Sequence, residues 1–307
     1  MINLSLGHTI LEPAESDPLV QAVEEATRAG IVVVVSAGNR GKNPQTGEVG
    51  YAGIVSPANA PSAITVGATN TFNTRTLTDD QVASYSSRGP SWYDGFAKPD
   101  VVAPGNKVVA AASTKGSLYA KHPELRVKNG HGERLLSLSG TSMAAGVVSG
   151  VVALMIQAHD AVSKTRLTPS AIKAILEFTA IPLAATDALT QGAGCVNLDG
   201  AIRMVSALNL KVASSSAQMI GADGPVSKIG GTVYPWSQSI IWGDHVISGY
   251  SIIWGDSLVW GDSIVWGDSI IWGDSIIWGD SIVWGDSIVW GDSLVWGDSG
   301  PFADGGI

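Results

Sequence analysis

The sequence predicts an α/β domain with a mostly parallel sheet flanked by helices, followed by a separate all-β repeat module. Two apolar strands, Ile2–Leu6 and Ile31–Val35, enclose a helix that Asp17 caps and Pro18 opens, and this strand–helix–strand order is typical of a right-handed parallel unit. From Ser239 the sequence changes to a six-residue repeat of β-branched residues, tryptophan, glycine and aspartate. The chain of 307 residues therefore combines two architectures.

Three further helices are predicted in the first part of the chain. Residues 142 to about 158 are small or apolar and lack proline, which is typical of a buried helix. Residues 168 to about 178 begin with Thr-Pro, and residues 198–208 form the last helix. Sites in open parallel sheets lie at the carboxyl ends of the strands, and both Gly7 and Asn39 follow such ends.

The segment Gly140–Ala144, Gly-Thr-Ser-Met-Ala, places the hydroxyl of Ser142 at the start of the buried helix. Unpaired backbone N–H groups and the positive end of the helix dipole would stabilise an oxyanion formed there. An N-cap role is the usual explanation for a serine in this position. The longer motif instead resembles the nucleophile segment of the subtilisin-like serine peptidases, the subtilases, and this resemblance implies that Ser142 is the nucleophile.

Other segments resemble the same family in the same order along the chain. They are INLSLG (2–7), VVVVSAGNRG (32–41), SAITVGAT (62–69), SSRGP (86–90), KPDVVAPG (98–105) and GAGCVN (192–197). The resemblance implies that the side chain of Asn39 and the backbone N–H of Ser142 stabilise the oxyanion, and that Ser5, Leu6 and Gly7 pair with the substrate. It implies a serine endopeptidase that cleaves polypeptides through an acyl-enzyme. The sedolisins also use a Gly-Thr-Ser serine, but they would carry aspartate in place of Asn39.

The base and its orienting acid are missing from these motifs. In the family the order is Asp, His, Ser, and both partners precede the strand with which this sequence begins; no Asp-Thr-Gly, Asp-Ser-Gly or His-Gly-Thr-His sequence occurs. None of the five histidines has a suitable context: His8, His122, His131, His159 and His245. We therefore expect a fragment that is inactive alone, from a truncated coding sequence or from a decayed or split peptidase, with apolar sheet surface left uncovered.

Gly146 is a second departure from the family, which usually has proline one turn after the nucleophile. Glycine in a helix interior costs about 1 kcal/mol relative to alanine. We expect it to relax crowding beneath Ser142 and to shift that residue slightly.

Composition excludes several classes of function. The formal net charge is −9, and because the ten aspartates after Val233 have no lysine or arginine among them, the first part is close to neutral. Neither part has the basic face expected of a nucleic-acid-binding protein. No run of eighteen apolar residues predicts a membrane span and no signal peptide is visible, although the family implies a secreted or cell-surface complete protein. The single cysteine, Cys195, excludes an internal disulfide and is predicted to be a buried structural thiol.

The tail repeats Ser-Ile-Val-Trp-Gly-Asp with exchange among Ile, Val and Leu, and Trp236 lies in phase with it. Each unit predicts a short strand and a tight turn, and both a meander of hairpins and a parallel β-solenoid fit, the solenoid slightly better. The predicted divisions are a partial peptidase domain (1–210), a linker rich in Ser, Ala and Gly (211–233), the hexad module (234–300) and a tail (301–307).

Several roles for the hexad module remain open at this stage. Its aspartates suit a structural calcium ion, but a solvated acidic edge that prevents aggregation is favoured over a metal site. Its tryptophans would bind carbohydrate, a surface or another copy of the chain, or would form the core of the module itself. The alternative to a peptidase is therefore a non-catalytic scaffold for adhesion or surface assembly.

Overall fold

The computed structural model describes residues 1–43, 45–113, 115–128, 134–164, 166–207 and 224–238, and the backbone of ten short strands within 240–296. The helices are α1 (Pro18–Arg28), α2 (Ser117–Lys121), α3 (Thr141–Val162), α4 (Pro169–Thr179), α5 (Ala188–Gln191) and α6 (Leu198–Ala207), with a 3₁₀ turn at Pro123–Leu125. The strands before the repeats are β1 (Ile2–Leu4), β2 (Val33–Ser36), β3 (Ile64–Asn70), β4 (Gln81–Val82), β5 (Val101–Pro104), β6 (Val108–Ala111), β7 (Arg126–Lys128), β8 (Arg134–Leu138), β9 (Val226–Ile229) and β10 (Thr232–Pro235).

The central sheet is mostly parallel and is covered on both faces. β1 pairs with β2, β2 with β3 and β3 with β5, all in parallel, and the short β4 joins β3 antiparallel. Alternate valines of β2 point to opposite faces: Val34 packs with the apolar residues of α3, α4 and α6, and Val33 and Val35 pack with those of α1. The predicted α/β fold is therefore confirmed.

Local sequence signals place two helix starts correctly. Asp17 accepts hydrogen bonds from the N–H groups of Leu19 and Val20, with Pro18 at the first helical position. Thr168 accepts a hydrogen bond from the N–H of Ala171 at the start of α4. Both caps satisfy donors that a helix end leaves unpaired.

Helix α3, whose first turn contains Ser142, runs through the centre of the domain. By length and mean hydropathy it is the one helix in the described ranges that could cross a membrane, although no run of apolar residues in the sequence predicted a span. It contacts β1, β2, β3, β5 and α6, and Ala144, Val148, Val152 and Met155 are fully buried. This packing is that of a core helix. Beside it, β6, β8 and β7 form a small antiparallel sheet.

A β-hairpin stands where the sequence predicted the end of a linker. β9 and β10 pair antiparallel, from Val226 with Pro235 to Ile229 with Thr232. The predicted boundary between residues 233 and 234 therefore falls inside β10 and is wrong, because both strands pack on the first domain through long-range contacts that composition does not reveal. The rest of the predicted linker, up to residue 223, lies outside the described residues.

The strands of the repeats are β11 (Ile240–Trp242), β12 (His245–Ile247), β13 (Ser251–Trp254), β14 (Ser257–Trp260), β15 (Ser263–Trp266), β16 (Ser269–Trp272), β17 (Ser275–Trp278), β18 (Ser281–Trp284), β19 (Ser287–Trp290) and β20 (Ser293–Trp296). β11 and β12 pair antiparallel. From β13 onwards each strand pairs in parallel with the strand twelve residues later, so that serine aligns with serine and tryptophan with tryptophan. The odd-numbered and even-numbered strands form two separate four-stranded sheets.

Candidate active site

Ser142 occupies the first turn of α3 and is partly exposed. Gly140, which caps the helix, has φ +153° and ψ 159°, and its N–H donates to the carbonyl of Gly105 just after β5 (2.8 Å). A side chain at Gly140 would meet the Nδ2 atom of Asn39 at 3.4 Å. Glycine is therefore favoured here by the backbone conformation, whereas the contact with Asn39 would be an ordinary van der Waals contact. Among the described residues, no hydrogen-bond partner is found for the Oγ atom of Ser142.

The side chain of Asn39 is held in one orientation by Thr141. Its Oδ1 atom accepts hydrogen bonds from the backbone N–H (3.0 Å) and the hydroxyl (3.1 Å) of Thr141, which is fully buried. The N–H of Gly38 in turn donates to the Thr141 hydroxyl (3.1 Å). Because an amide N–H can donate only to the oxygen of Asn39, these two bonds assign Oδ1 to Thr141 and leave the Nδ2 end, which lies near Gly140, without a described hydrogen-bond acceptor.

The side chain of Ser5 is hydrogen-bonded to the backbone of Ser142. Its hydroxyl donates to the backbone carbonyl of Ser142 (2.9 Å) and accepts from the Nδ2 atom of Asn3 (3.0 Å). The Oδ1 atom of Asn3 accepts a hydrogen bond from the hydroxyl of Ser149 (3.0 Å), about two turns after Ser142 on α3. This chain of hydrogen bonds joins the end of β1 to α3 across more than a hundred residues of sequence.

Leu6 and Gly7 follow β1 outside any strand and are exposed. Ser5, Leu6 and Gly7 make no backbone hydrogen bond to another described residue, whereas His8 pairs in both directions with Ser56. A Cβ atom at Gly7 would lie 2.5 Å from Val55 Cγ2 and 2.8 Å from the Ser56 carbonyl oxygen. The segment therefore offers free backbone donors and acceptors to an extended peptide, with glycine required where the chain passes Val55.

No described histidine side chain is hydrogen-bonded to Ser142. His8 contacts the carbonyl oxygen of Thr9 (2.7 Å) and His122 pairs with Glu124 (2.8 Å). His159 is buried near the carbonyl of Val205, and its position seventeen residues further along α3 places it about 25 Å from Ser142. His131 lies outside the described residues, and only the backbone of His245 is described.

The expectation that Gly146 relaxes crowding beneath Ser142 stays a prediction, because proline at this position would crowd the backbone of its own helix rather than a neighbouring element. The residue is exposed, and a Cβ atom there would meet nothing within 4 Å. Gly150, one turn later, is equally open, and Leu154 is 45% exposed. We call Gly146, Gly150 and Leu154 the open stripe of α3. The same helix contacts the edge strand β1, in which Ile2 is 38% exposed.

Electrostatic features outside the nucleophile loop are structural. Burial raises the pKa of Cys195 to about 12, and the thiol is 2% exposed, so the predicted structural role is confirmed. Among the residues whose side chains are described, no group of three or more histidine, cysteine, aspartate or glutamate residues could hold a metal ion. The aspartates of the hexads are outside that set, and calcium binding there stays a prediction.

The sequence did not identify Thr141, Gly38, Asn3 or Ser149 as parts of the site. Thr141 is adjacent to the nucleophile, and its position in the motif could have suggested a supporting role. The bonds of Asn3 and Ser149 join elements 146 residues apart and leave no local signal.

Comparison with known proteins identifies the family of this chain. The model of the subtilase family matches residues 1–201. The serine protease AprX of Bacillus subtilis (strain 168) is 38% identical over 204 residues, which cover 66% of this chain and 42% of that protein, and subtilisin of Bacillus pumilus is 33% identical over 201 residues, which cover 66% and 56%. The solved structure of the prenylagaramide maturation protease PagA is 23% identical, with a TM-score of 0.48, and the match covers 66% of this chain and 61% of that one. The chain thus spans about half the length of the curated relatives it matches.

Proposed function

This chain belongs to the subtilase family, and we propose that the complete protein is a serine endopeptidase with Ser142 as its nucleophile. The observation that carries this proposal is the fixed amide of Asn39. Its oxygen is occupied by Thr141, so its Nδ2 hydrogens remain for a ligand beside Ser142.

The proposed reaction begins with attack of the Ser142 Oγ atom on the carbonyl carbon of a peptide bond. A base takes the hydroxyl proton and returns it to the leaving amine, so that the C–N bond breaks and an ester to Ser142 remains. Water then attacks the carbonyl carbon of that ester while the base takes a proton from the water. The base returns the proton to the Ser142 Oγ atom as the ester bond breaks and the carboxylic acid product leaves. The negative charge on the carbonyl oxygen is stabilised by the Asn39 amide and by the Ser142 backbone N–H at the start of α3, and loss of one such donor typically costs about 10²–10³ in rate.

Substrate is proposed to pair with Ser5, Leu6 and Gly7 as an added strand. These residues have unpaired backbone groups and lie at the end of β1, and the hydroxyl of Ser5 reaches the nucleophile loop. Main-chain pairing of this kind binds extended polypeptides with little dependence on side-chain sequence. The substrate class is therefore an extended polypeptide.

The base and its orienting carboxylate are proposed to come from polypeptide outside the described residues, packed on the free edge of β1 and the open stripe of α3. β1 pairs on one side only, with β2. Ile2 of β1 and Leu154 of α3 are exposed, and Gly146 and Gly150 leave open space on α3, so both elements offer apolar surface that this polypeptide would cover. A strand edge with unpaired backbone groups is a template for another strand.

Labelling with a fluorophosphonate tests the proposal. The chain alone should remain unlabelled, and a product extended by the in-frame upstream coding sequence should be labelled, whereas the extended Ser142→Ala variant should not. Extended Asn39→Ala should react about 10²–10³ times more slowly while retaining its helical circular dichroism. A folded extended product that fails to react, or a Ser142→Ala variant that reacts as fast, would refute the assignment. Stop codons immediately upstream would favour the scaffold function.

The hexad module is proposed to be a parallel β-solenoid with two hexads in each coil, in a secreted or cell-surface protein. The in-register pairing of strands twelve residues apart supports the solenoid over the meander, in which each hexad would pair with the next. Such an array favours a scaffold or surface-assembly role beside the catalytic one. Solid-state NMR of the full chain should show contacts between Ser263 and Ser275; contacts only between neighbouring hexads would establish the meander instead.

A further inference from the structure

Trp236 is in phase with the hexads, yet its ring packs against α4 and α6 of the subtilase-like domain. It is 2% exposed and follows the hairpin of β9 and β10. Its ring meets that of Phe178 edge to face, with centroids 6.3 Å apart and planes at 76°. The guanidinium group of Arg203 lies over the Trp236 ring, 5.0 Å from the ring centroid.

The site that receives this ring is shaped for it. A Cβ atom on Gly200 of α6 would lie 3.0 Å from the Cε2 atom of Trp236, so the absence of a side chain there lets the indole approach the helix. The indole N–H donates to the hydroxyl of Ser227 (3.0 Å), which is fully buried. A buried tryptophan with its N–H satisfied is the typical anchor of a stable interface.

A polar network extends the contact from Ser227 to α6. Asn197, just before α6, donates to Ser227 (3.0 Å) and to the carbonyl of Thr179 at the end of α4 (2.9 Å). Ser227 donates to the carboxylate of Asp199 (2.6 Å), and Arg203 donates to the carbonyl of Val226. Burying these groups without partners would be costly, and here they are paired across the contact.

The backbone after Trp236 is also tied down. Ser237 N–H donates to the carbonyl of Ala180 (2.7 Å) and Gln238 N–H to that of Phe178 (3.0 Å), at the end of α4. On the other side of the hairpin, the hydroxyl of Tyr234 contacts the loop after β3 through Leu77 N–H (3.3 Å). The backbone of β11, where the repeats begin, lies against α4.

We infer that residues 225–238, which we call the clasp, dock the hexad array onto the face made by α4 and α6. The array is then held against the subtilase-like domain and is not joined to it by a flexible linker alone. The occupant of this face is a segment of the chain itself, and its anchor is a tryptophan that shares the phase of the repeats. The domain then ends at residue 238, and the repeats leave it in a fixed direction.

Limited digestion with trypsin tests the clasp directly. Lys228 lies exposed in β9, and no lysine or arginine follows it, so a single cut there releases residues 229–307 as one fragment. In the unmodified chain this cut should be much slower than the cut at the exposed loop residue Lys164. The Trp236→Ala variant should raise the rate of release at least about tenfold relative to Lys164, because cleavage follows the population of the opened hairpin.

A matched variant separates the effect of losing the docked ring from the effect of removing any tryptophan of the array. Trp254→Ala, in the array, should leave the rate at Lys228 unchanged. Tyr234→Phe removes only the hydroxyl contacts and should raise the rate a few-fold with the helical circular dichroism intact, which keeps the test valid if Trp236→Ala fails to fold. Equal cleavage at Lys228 and Lys164 in the unmodified chain, or equal rates in the Trp236 and Trp254 variants, would overturn the inference.

Discussion

Replacing Asp100 with asparagine should destabilise the domain strongly, because its carboxylate lies between two buried ammonium groups. Asp100, Lys98, Lys173 and Glu177 are all fully buried. The oxygens of Asp100 lie 3.0 and 3.1 Å from the Lys98 Nζ atom and 3.1 Å from that of Lys173, and one of them accepts the N–H of Thr65 (2.6 Å). The carboxylate thereby joins α4 to the sheet next to β5.

Asparagine keeps the shape of the side chain but removes the charge. Lys98 and Lys173 would then share only Glu177 as a buried counter-charge, and breaking a buried pair costs about 3–5 kcal/mol. A domain of ordinary stability, about 5–15 kcal/mol, would lose a large part of its free energy of unfolding. The loss should shrink between pH 6 and pH 8. Burial lowers the pKa of Lys98 to about 8, against the attraction of Asp100, and without that attraction the group sheds its proton at lower pH and needs no counter-charge.

The assay is urea unfolding of the full chain, followed by circular dichroism at a helical wavelength because all described helices lie before residue 208. Asp160→Asn, at an exposed position near the end of α3, is the matched control and should change the stability by less than about 0.5 kcal/mol. A deficit in Asp100→Asn within about 1 kcal/mol of that control would refute the argument that the buried charges depend on one another.

Three further predictions concern single buried or crowded groups. Because burial raises the pKa of Cys195 to about 12, iodoacetamide at pH 8 should label it only as fast as the chain unfolds in urea, and fast labelling of the native chain would contradict this. Burial, with a smaller effect of a neighbouring carboxylate, raises the pKa of Asp80 to about 6, so its ionisation costs stability as the pH rises from about 4 to 6; thermal melts should show Asp80→Asn more stable than the parent at pH 7 and equal to it below pH 4. Gly200→Ala should lower the melting temperature, because its Cβ atom would lie 2.6 Å from the Nδ2 atom of Asn197 and 3.0 Å from the Cε2 atom of Trp236, whereas Gly150→Ala, in open space on α3, should gain up to about 1 kcal/mol; equal shifts would disprove the crowding.

The parts of the fold that the sequence predicted are those decided by neighbouring residues. Asp17 with Pro18 and Thr168 with Pro169 start helices through contacts within three residues, so the start positions of α1 and α4 were correct. β1 is shorter than predicted because Ser5 and the residues after it leave the ladder, and no periodicity signals that departure.

The parts that could not be predicted depend on contacts far apart in sequence. The amide of Asn39 is fixed by Thr141 across 102 residues, and neither residue type alone indicates the bond. Trp236 looks like one more tryptophan of the repeats, and only the space above Gly200 and the ring of Phe178 assign it to the domain core. Composition placed the linker immediately before it, at residues 211–233, and assigned Trp236 to the hexad module, because composition counts small and polar residues without regard to what packs on them.

The two halves of the proposed site differ in how they are built, and this allows them to be tested separately. The oxyanion half is held by buried Thr141 and by the start of α3, so it does not depend on a base being present. For the proton-transfer half, no described histidine side chain is hydrogen-bonded to Ser142, although the adjoining surface is open on both α3 and β1. A preformed oxyanion site without a base can bind a carbonyl analogue but cannot activate the serine hydroxyl. Reactivity of Ser142 in the extended product should therefore report the arrival of the base, whereas the proposed oxyanion role of Asn39 requires only the orientation that Thr141 gives its amide in the chain alone.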